Sequence, residues 1–236
     1  MRPSSSSSYR SAAEREGRQD APSQGGDLDL TIYSLRKYVR LALKGNPTIL
    51  LLLFAPTDSL LVYNALGSQL RDLVPAIISR QAGRAFLGYL QAQRQRMLGE
   101  RGNGGHGRPR AALTEQFGFD TKYAMHMCRL ALQGVELMHT GRLQLPIAEP
   151  ERSWLYSVRI GKVEQQEVLT RTGECERELK DLLDTSPLQE HPDEAAVDAW
   201  LTLTYFRWWS AERKTKDIAE DRRRWEQQHA VADSDS

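Results

Sequence analysis

Residues 118–142 read GFDTKYAMHMCRLALQGVELMHTGR, and their layout is that of one long helix with marked ends. Asp120 and Thr121 are N-cap residue types, and Gly141 followed by Arg142 is a stop signal. At 100° per residue, Ala124, Met127, Cys128, Ala131, Val135 and Met138 share one side, the predicted core side. Lys122, His126, Arg129 and Gln133 fall opposite, at spacings i, i+4, i+7 and i+11. Two cations and an imidazole held in register by a buried scaffold suit a bound phosphate. Periodicity alone also describes an ordinary solvated polar face.

Working outward, the chain of 236 residues has room for one large domain or two small ones. Its formal net charge of +1 excludes a globally basic nucleic-acid-coating protein but leaves local basic patches open. The two cysteines, Cys128 and Cys175, are far apart, and no CxxC or Cys/His cluster accompanies them. This argues against structural zinc and for a reducing, cytoplasmic compartment. Residues 1–26 are rich in Ser, Gly and Arg, with no apolar stretch of the signal-peptide kind, and are expected to be disordered. The longest apolar run, ILLLLFA at 49–55, falls far short of the roughly 20 residues that span a bilayer, so no membrane insertion is expected.

Residues 27–34, DLDLTIYS, alternate with the period of a strand. Asp27 and Asp29 then project from the same face, where they can hold a divalent metal or simply meet solvent. Residues 35–44 read as a helix stopped by Gly45, and Asn46-Pro47 restarts the chain as an N-cap with Pro at N1. The apolar helix that follows should be buried. Residues 60–63 suggest a short strand, 65–74 a short helix and 79–97 a longer one. Seven arginines and one acid lie between positions 80 and 110, the most basic part of the chain. The loop GNGGHGRPR at 102–110 lacks the GxxxxGK[ST] pattern of a P-loop. Residues 154–160 fit a strand or a helical turn, 163–183 a charged helix, and 193–213 a helix with Val197, Trp200, Leu201, Thr204 and Trp208 available for packing. The aromatics of TYFRWW, 204–209, are read as packing residues before a base-stacking platform. The tail at 214–236 is charged and expected to fray.

Four ordered blocks carry a resemblance: DLTIYSLRKYVRLALKGNPTILLLLFAP (29–56), ISRQAGRAFLGYLQAQ (78–93), FGFDTKYAMHMCRLALQGVELMHTGRLQLPI (117–147) and VRIGKVEQQEVL (158–169). Over roughly residues 27–210 the chain resembles predicted nucleotidyltransferases of the DNA polymerase β superfamily, the group that includes RNA-ligase-associated polymerases proposed for RNA repair. The resemblance implies transfer of a nucleotidyl group from a nucleoside triphosphate to a hydroxyl acceptor, RNA among the candidates, by two-Mg²⁺ chemistry. Superfamily members use a Gly-Ser turn, an Asp-x-Asp pair and a third carboxylate on a neighbouring strand. The first two belong upstream of the first block, and residues 1–26 do not contain them. Gly25-Gly26-Asp27-Leu28-Asp29 has the pieces without the spacer. Asp29 fits the third carboxylate, so the implied catalytic residue is Asp29 and the implied metal ligands are Asp27 and Asp29. Leu51 stands where the family tends to carry Glu. The K-x-x-x-H-x-x-R pattern of Lys122, His126 and Arg129 implies nucleotide contact.

The expected fold is α+β and mainly helical: disordered 1–26, a remnant of the nucleotidyltransferase mixed sheet in a partial domain at 27–78, a helical nucleotide- or substrate-binding domain at 79–213, and the charged tail. Two functional classes stay open. One is an active nucleotidyltransferase whose missing strand-turn-helix comes from a partner chain or an upstream start. The other is a catalytically inert helical module or truncated remnant that binds nucleotide or RNA. Removing the upstream strands should leave apolar faces uncovered and favour self-association.

Overall fold

The computed structural model describes residues 30–100 and 110–229, with side chains specified through Glu212 and at Glu220. The expectations for 1–26, for Asp27 and Asp29, and for the loop at 102–110 apart from Arg110 lie outside the described residues. Among the described residues there are ten α-helices, one 3-10 turn and no strand. The protein is mainly helical, as expected. The remnant sheet is a correction where it can be seen. Residues 30–33 run without a ladder, Leu30 and Ile32 are exposed, and Ser34 already caps the first helix. Residues 60–63 likewise form no strand, and Leu61 and Val62 are exposed. Alternating apolar residues form a strand only where a neighbour takes up their backbone hydrogen bonds.

The described residues from Ser34 onward belong to one compact unit. It begins with α1 (Leu35–Leu43) and α2 (Pro47–Phe54). The Ser34 hydroxyl accepts from the Lys37 N–H, and the Asn46 side chain accepts from the N–H groups of Thr48 and Ile49, ahead of Pro47 at the first turn. Each cap satisfies donors that have no partner inside the helix. The buried Tyr38 hydroxyl donates to the Ile49 carbonyl at 3.2 Å and ties the pair together. A 3-10 turn (Thr57–Ser59) leads to α3 (Ala65–Asp72) and α4 (Val74–Ile77).

The centre of the fold is α5 (Arg80–Met97), α7 (Thr121–Thr140) and α9 (Gln165–Thr185), with α6 (Ala111–Phe117) and α8 (Glu151–Arg159) against α7. Phe86, Leu90, Leu130, Leu137, Met138 and Leu179 are wholly buried there. Each such side chain contributes about 1.5–3 kcal/mol relative to exposure. The helices approach closely because Gly83 and Gly134 sit at their crossings. A Cβ on Gly83 would come within 2.5 Å of Met138 Sδ, and one on Gly134 within 2.9 Å of Leu179 Cδ2. Residues 154–160, ambiguous in sequence, belong to α8 and its C-cap.

The last helix, α10 (Glu194–His229), packs on α4 and α1 through its first turns. The Trp200 indole N–H donates to Gln69 Oε1 at 3.4 Å, and Val197 is fully buried. Its entry is fixed by Gln189, whose side-chain amide donates to the carbonyls of Pro75, Ala76 and Ile78. Two expectations are corrected here. Residues 214–229 of the tail continue the helix, and Phe206, Trp208 and Trp209 are exposed instead of packed.

Candidate functional site

The long helix expected at 118–142 is α7. The Asp120 carboxylate, fully buried, accepts from the N–H groups of Lys122 (3.0 Å) and Tyr123 (3.1 Å), and Gly141 ends the helix in the left-handed region at φ 68°. Asp120 also accepts from the Arg110 backbone N–H at 2.7 Å and its guanidinium at 3.0 Å. The positive end of the helix is therefore already engaged by the chain's own carboxylate. An anion bound by α7 would sit on its flank.

That flank carries the predicted residues, in a setting periodicity did not foresee. Lys122 is exposed, His126 and Arg129 are half-buried, and Gln133 is only 2% exposed. The stripe is not a solvated face: it starts at the surface and runs inward, because α5, α8 and α9 cover α7 from several sides. The Arg129 guanidinium Nη2 lies 2.9 Å from His126 Nε2. Burial, and then the charges of Arg129, Arg96 and Lys122, hold the His126 pKa below its ordinary 6.5. Burial also lowers the Arg129 pKa, but a guanidinium stays charged at physiological pH. Arg96, near the end of α5, was not among the sequence candidates. Its only signal was membership of the arginine-rich run at 80–110.

Among the described residues, Arg96, Lys122 and Arg129 have no carboxylate partner. The other basic residues of α5 are neutralised: Arg80 and Arg84 by Glu190, and Arg94 by Glu176. A groove of about 420 Å³ runs along the outer side of α5, lined by Ala85, Gly88, Tyr89 and Ala92, with Arg96 among its lining residues. A Cβ on Gly88 would meet nothing within 4 Å, and the Tyr89 hydroxyl accepts from Asn46 Nδ2 at 3.0 Å. Larger still is a cavity of about 820 Å³ between α2, α4 and the end of α7. It contains none of the predicted site residues. Its Arg71 is occupied by the Ala55 carbonyl and the Tyr63 ring, and Arg142 is its other lining cation, with Asp72 also in the wall, so the three cations Arg96, Lys122 and Arg129 mark the better anion site.

No group of three or more His, Cys, Asp or Glu side chains able to hold a metal occurs among the described residues. The described side chains therefore do not fit a two-Mg²⁺ centre, and Asp27 and Asp29 lie outside them. Both cysteines are free; burial pushes the Cys128 thiol up to about 11, so it is no nucleophile at neutral pH. No described helix is long and apolar enough to cross a membrane.

A family model, RlaP, described as the RNA repair pathway DNA polymerase beta family, matches residues 8–203. No curated protein and no solved structure matches the chain.

Proposed function

The chain belongs to the RNA repair pathway DNA polymerase beta family, and from that premise we propose that it serves nucleotidyl transfer to an RNA hydroxyl by holding a nucleoside triphosphate between α5 and α7. The observation that carries this reading is the set of unpaired cations, Arg96, Lys122 and Arg129, gathered around the uncharged imidazole of His126. Like charges so placed repel one another, and a polyphosphate relieves that repulsion while meeting several donors at once. Arg96 and Arg129 offer planar forks, and Lys122 a mobile point charge. The groove beside Arg96 offers space to ribose and base, with the half-exposed Tyr89 ring as one wall.

The described residues thus bind and orient the phosphates. Mg²⁺, which the superfamily uses to neutralise the leaving pyrophosphate, finds no ligand set among them, and no step of the reaction is assigned to it. A module that binds nucleotide without transferring it is the second reading, favoured by the lack of a metal-binding cluster of carboxylates among the described residues. Calorimetric titration with ATP tests the shared part of both readings. Lys122→Ala and Arg129→Ala should each weaken binding by roughly 1.5–3 kcal/mol. Unchanged affinity in both variants, with the fold intact, removes the site. Labelled nucleoside triphosphate incubated with Mg²⁺ and pooled RNA separates the two readings: incorporation supports transfer, and binding without incorporation supports the inert module.

A further inference from the structure

Two features on one side of the molecule play no part in the nucleotide site. The first is α1, whose exposed Arg36, Lys37, Arg40 and Lys44 line a groove of about 560 Å³ with no acidic residue in the helix. Among the described residues Arg36, Arg40 and Lys44 have no ion-pair partner. The second is the aromatic run of α10. Phe206, Trp208 and Trp209 are 66%, 58% and 52% exposed. Tyr205 and Trp209 form a tilted ring pair with centroids 5.4 Å apart. At 100° per residue, positions 205, 206, 208 and 209 cover an arc of about 160° centred near Tyr205 and Trp209. The features adjoin, because the Arg36 backbone N–H at the start of α1 donates to the Tyr205 hydroxyl at 3.4 Å.

We propose that this aromatic arc and the basic flank of α1 form a track for single-stranded RNA, separate from the nucleotide site. Unpaired cations along a groove follow a phosphate backbone, and exposed rings stack on bases without regard to sequence. Charge complementarity selects this occupant. A purely apolar partner would leave the α1 cations without counter-charges, and a duplex would keep its bases away from the rings. The aromatics lie beyond the family-matched residues. The proposal rests on the reading that the acceptor is RNA, and it assigns where that RNA lies.

The test is titration of the full chain with a single-stranded oligouridylate, followed by tryptophan fluorescence and by anisotropy of a labelled oligomer. Binding should quench tryptophan emission. The double substitution Trp208→Ala/Trp209→Ala should weaken binding at least about tenfold. Arg40→Ala should reduce the magnitude of the log–log salt slope by about 0.7. ATP affinity, measured on the same variants, should not change, which keeps a failure of the track distinct from a failure of the nucleotide site. RNA affinity unchanged in the double variant overturns the proposal. So does a wild-type chain that ignores RNA but self-associates, with the double variant monomeric, because a second copy then covers the face. Equal affinity for single strand and blunt duplex also overturns it.

Discussion

The guanidinium Nη2 of Arg129 lies 2.9 Å from Nε2 of His126, and a guanidinium has no acceptor to offer. The imidazole must therefore be the acceptor, uncharged and with its proton on Nδ1. This agrees with the direction in which burial and the Arg129, Arg96 and Lys122 charges move its pKa, which is downward. A proton and an incoming phosphate thus compete with the same arrangement, and opposite pH trends follow for the free and the bound protein.

In the free protein the unfolded chain takes up the His126 proton more readily than the folded one. The contribution of this group to stability is fully present above pH 6.5 and is lost as pH falls from there through the lowered folded pKa. Bound triphosphate neutralises the surrounding cations and accepts a hydrogen bond, which raises the same pKa. ATP affinity should then increase between about pH 8 and about pH 6 with net proton uptake. Calorimetry in two buffers of different ionisation enthalpy measures that uptake. His126→Gln should abolish the part not due to the phosphate's own titration, and equal uptake in both proteins would exclude His126 as the group.

Two glutamates with similar partners should differ sharply in effect. Glu176 is buried and holds Arg94, Lys180 and the Gln91 side chain. Burial pushes its pKa up, but Gln91, Lys180 and Arg94 outweigh this, and the net shift is downward. Glu190 pairs with Arg80 and Arg84 at the surface. Removing one member of a buried pair costs about 3–5 kcal/mol, whereas an exposed pair contributes about 0–1 kcal/mol. Urea denaturation should show a loss of about 3 kcal/mol for Glu176→Ala and little or no change for Glu190→Ala. The Glu176 contribution should fade as pH falls below the ordinary glutamate value of 4.5 and through the lowered folded pKa.

The ends of α7 were legible in sequence because capping is local: Asp120 and Gly141 act on backbone groups within a few positions of themselves. The inward course of the Lys122–Gln133 stripe was not. Periodicity supposes one core side, and α7 is covered by several helices, so Gln133 is buried on the side expected to meet water. Arg96 escaped notice because its relation to His126 crosses from one helix to another. The aromatics of 204–209 misled for the converse reason: composition marks them as able to pack, but of this run it is the Tyr205 hydroxyl that reaches α1, while Phe206, Trp208 and Trp209 stay exposed. Residues 30–33 and 60–63 have strand-like sequences, yet among the described residues no second strand pairs with either.

The turn between α1 and α2 offers a test of packing that involves no charge. Gly45 has φ 70°, and a Cβ there would lie 2.4 Å from the Cα of Ala82, a backbone atom that cannot rotate away. The left-handed conformation alone costs an L-residue about 1–2 kcal/mol, and displacing α5 adds to it. Gly45→Ala should lower stability by at least about 2 kcal/mol by chemical denaturation. By contrast, Gly88→Ala, with open space around its Cβ, should be neutral or stabilising by up to about 1 kcal/mol through helix propensity.

Asp120 links the stability of α7 to the phosphate site. Its Oδ1 caps Lys122 and Tyr123, and its Oδ2 holds the Arg110 backbone N–H and guanidinium, all from a fully buried position. Asp120→Ala removes the cap and leaves three backbone donors without their acceptor, a loss of about 2–4 kcal/mol. Asp120→Asn keeps an Oδ1 cap but turns an amide N–H₂ toward the donors of Arg110, so it should recover only part of that loss. The first turn of α7 should then fray, carrying Lys122 with it, while His126 and Arg129 stay fixed one and two turns further in. ATP binding by Asp120→Ala should therefore weaken no more than in Lys122→Ala, and the double variant should bind like Lys122→Ala alone. Additive losses in that double-mutant cycle would mean that Asp120 acts on the phosphate site by a route other than placing Lys122.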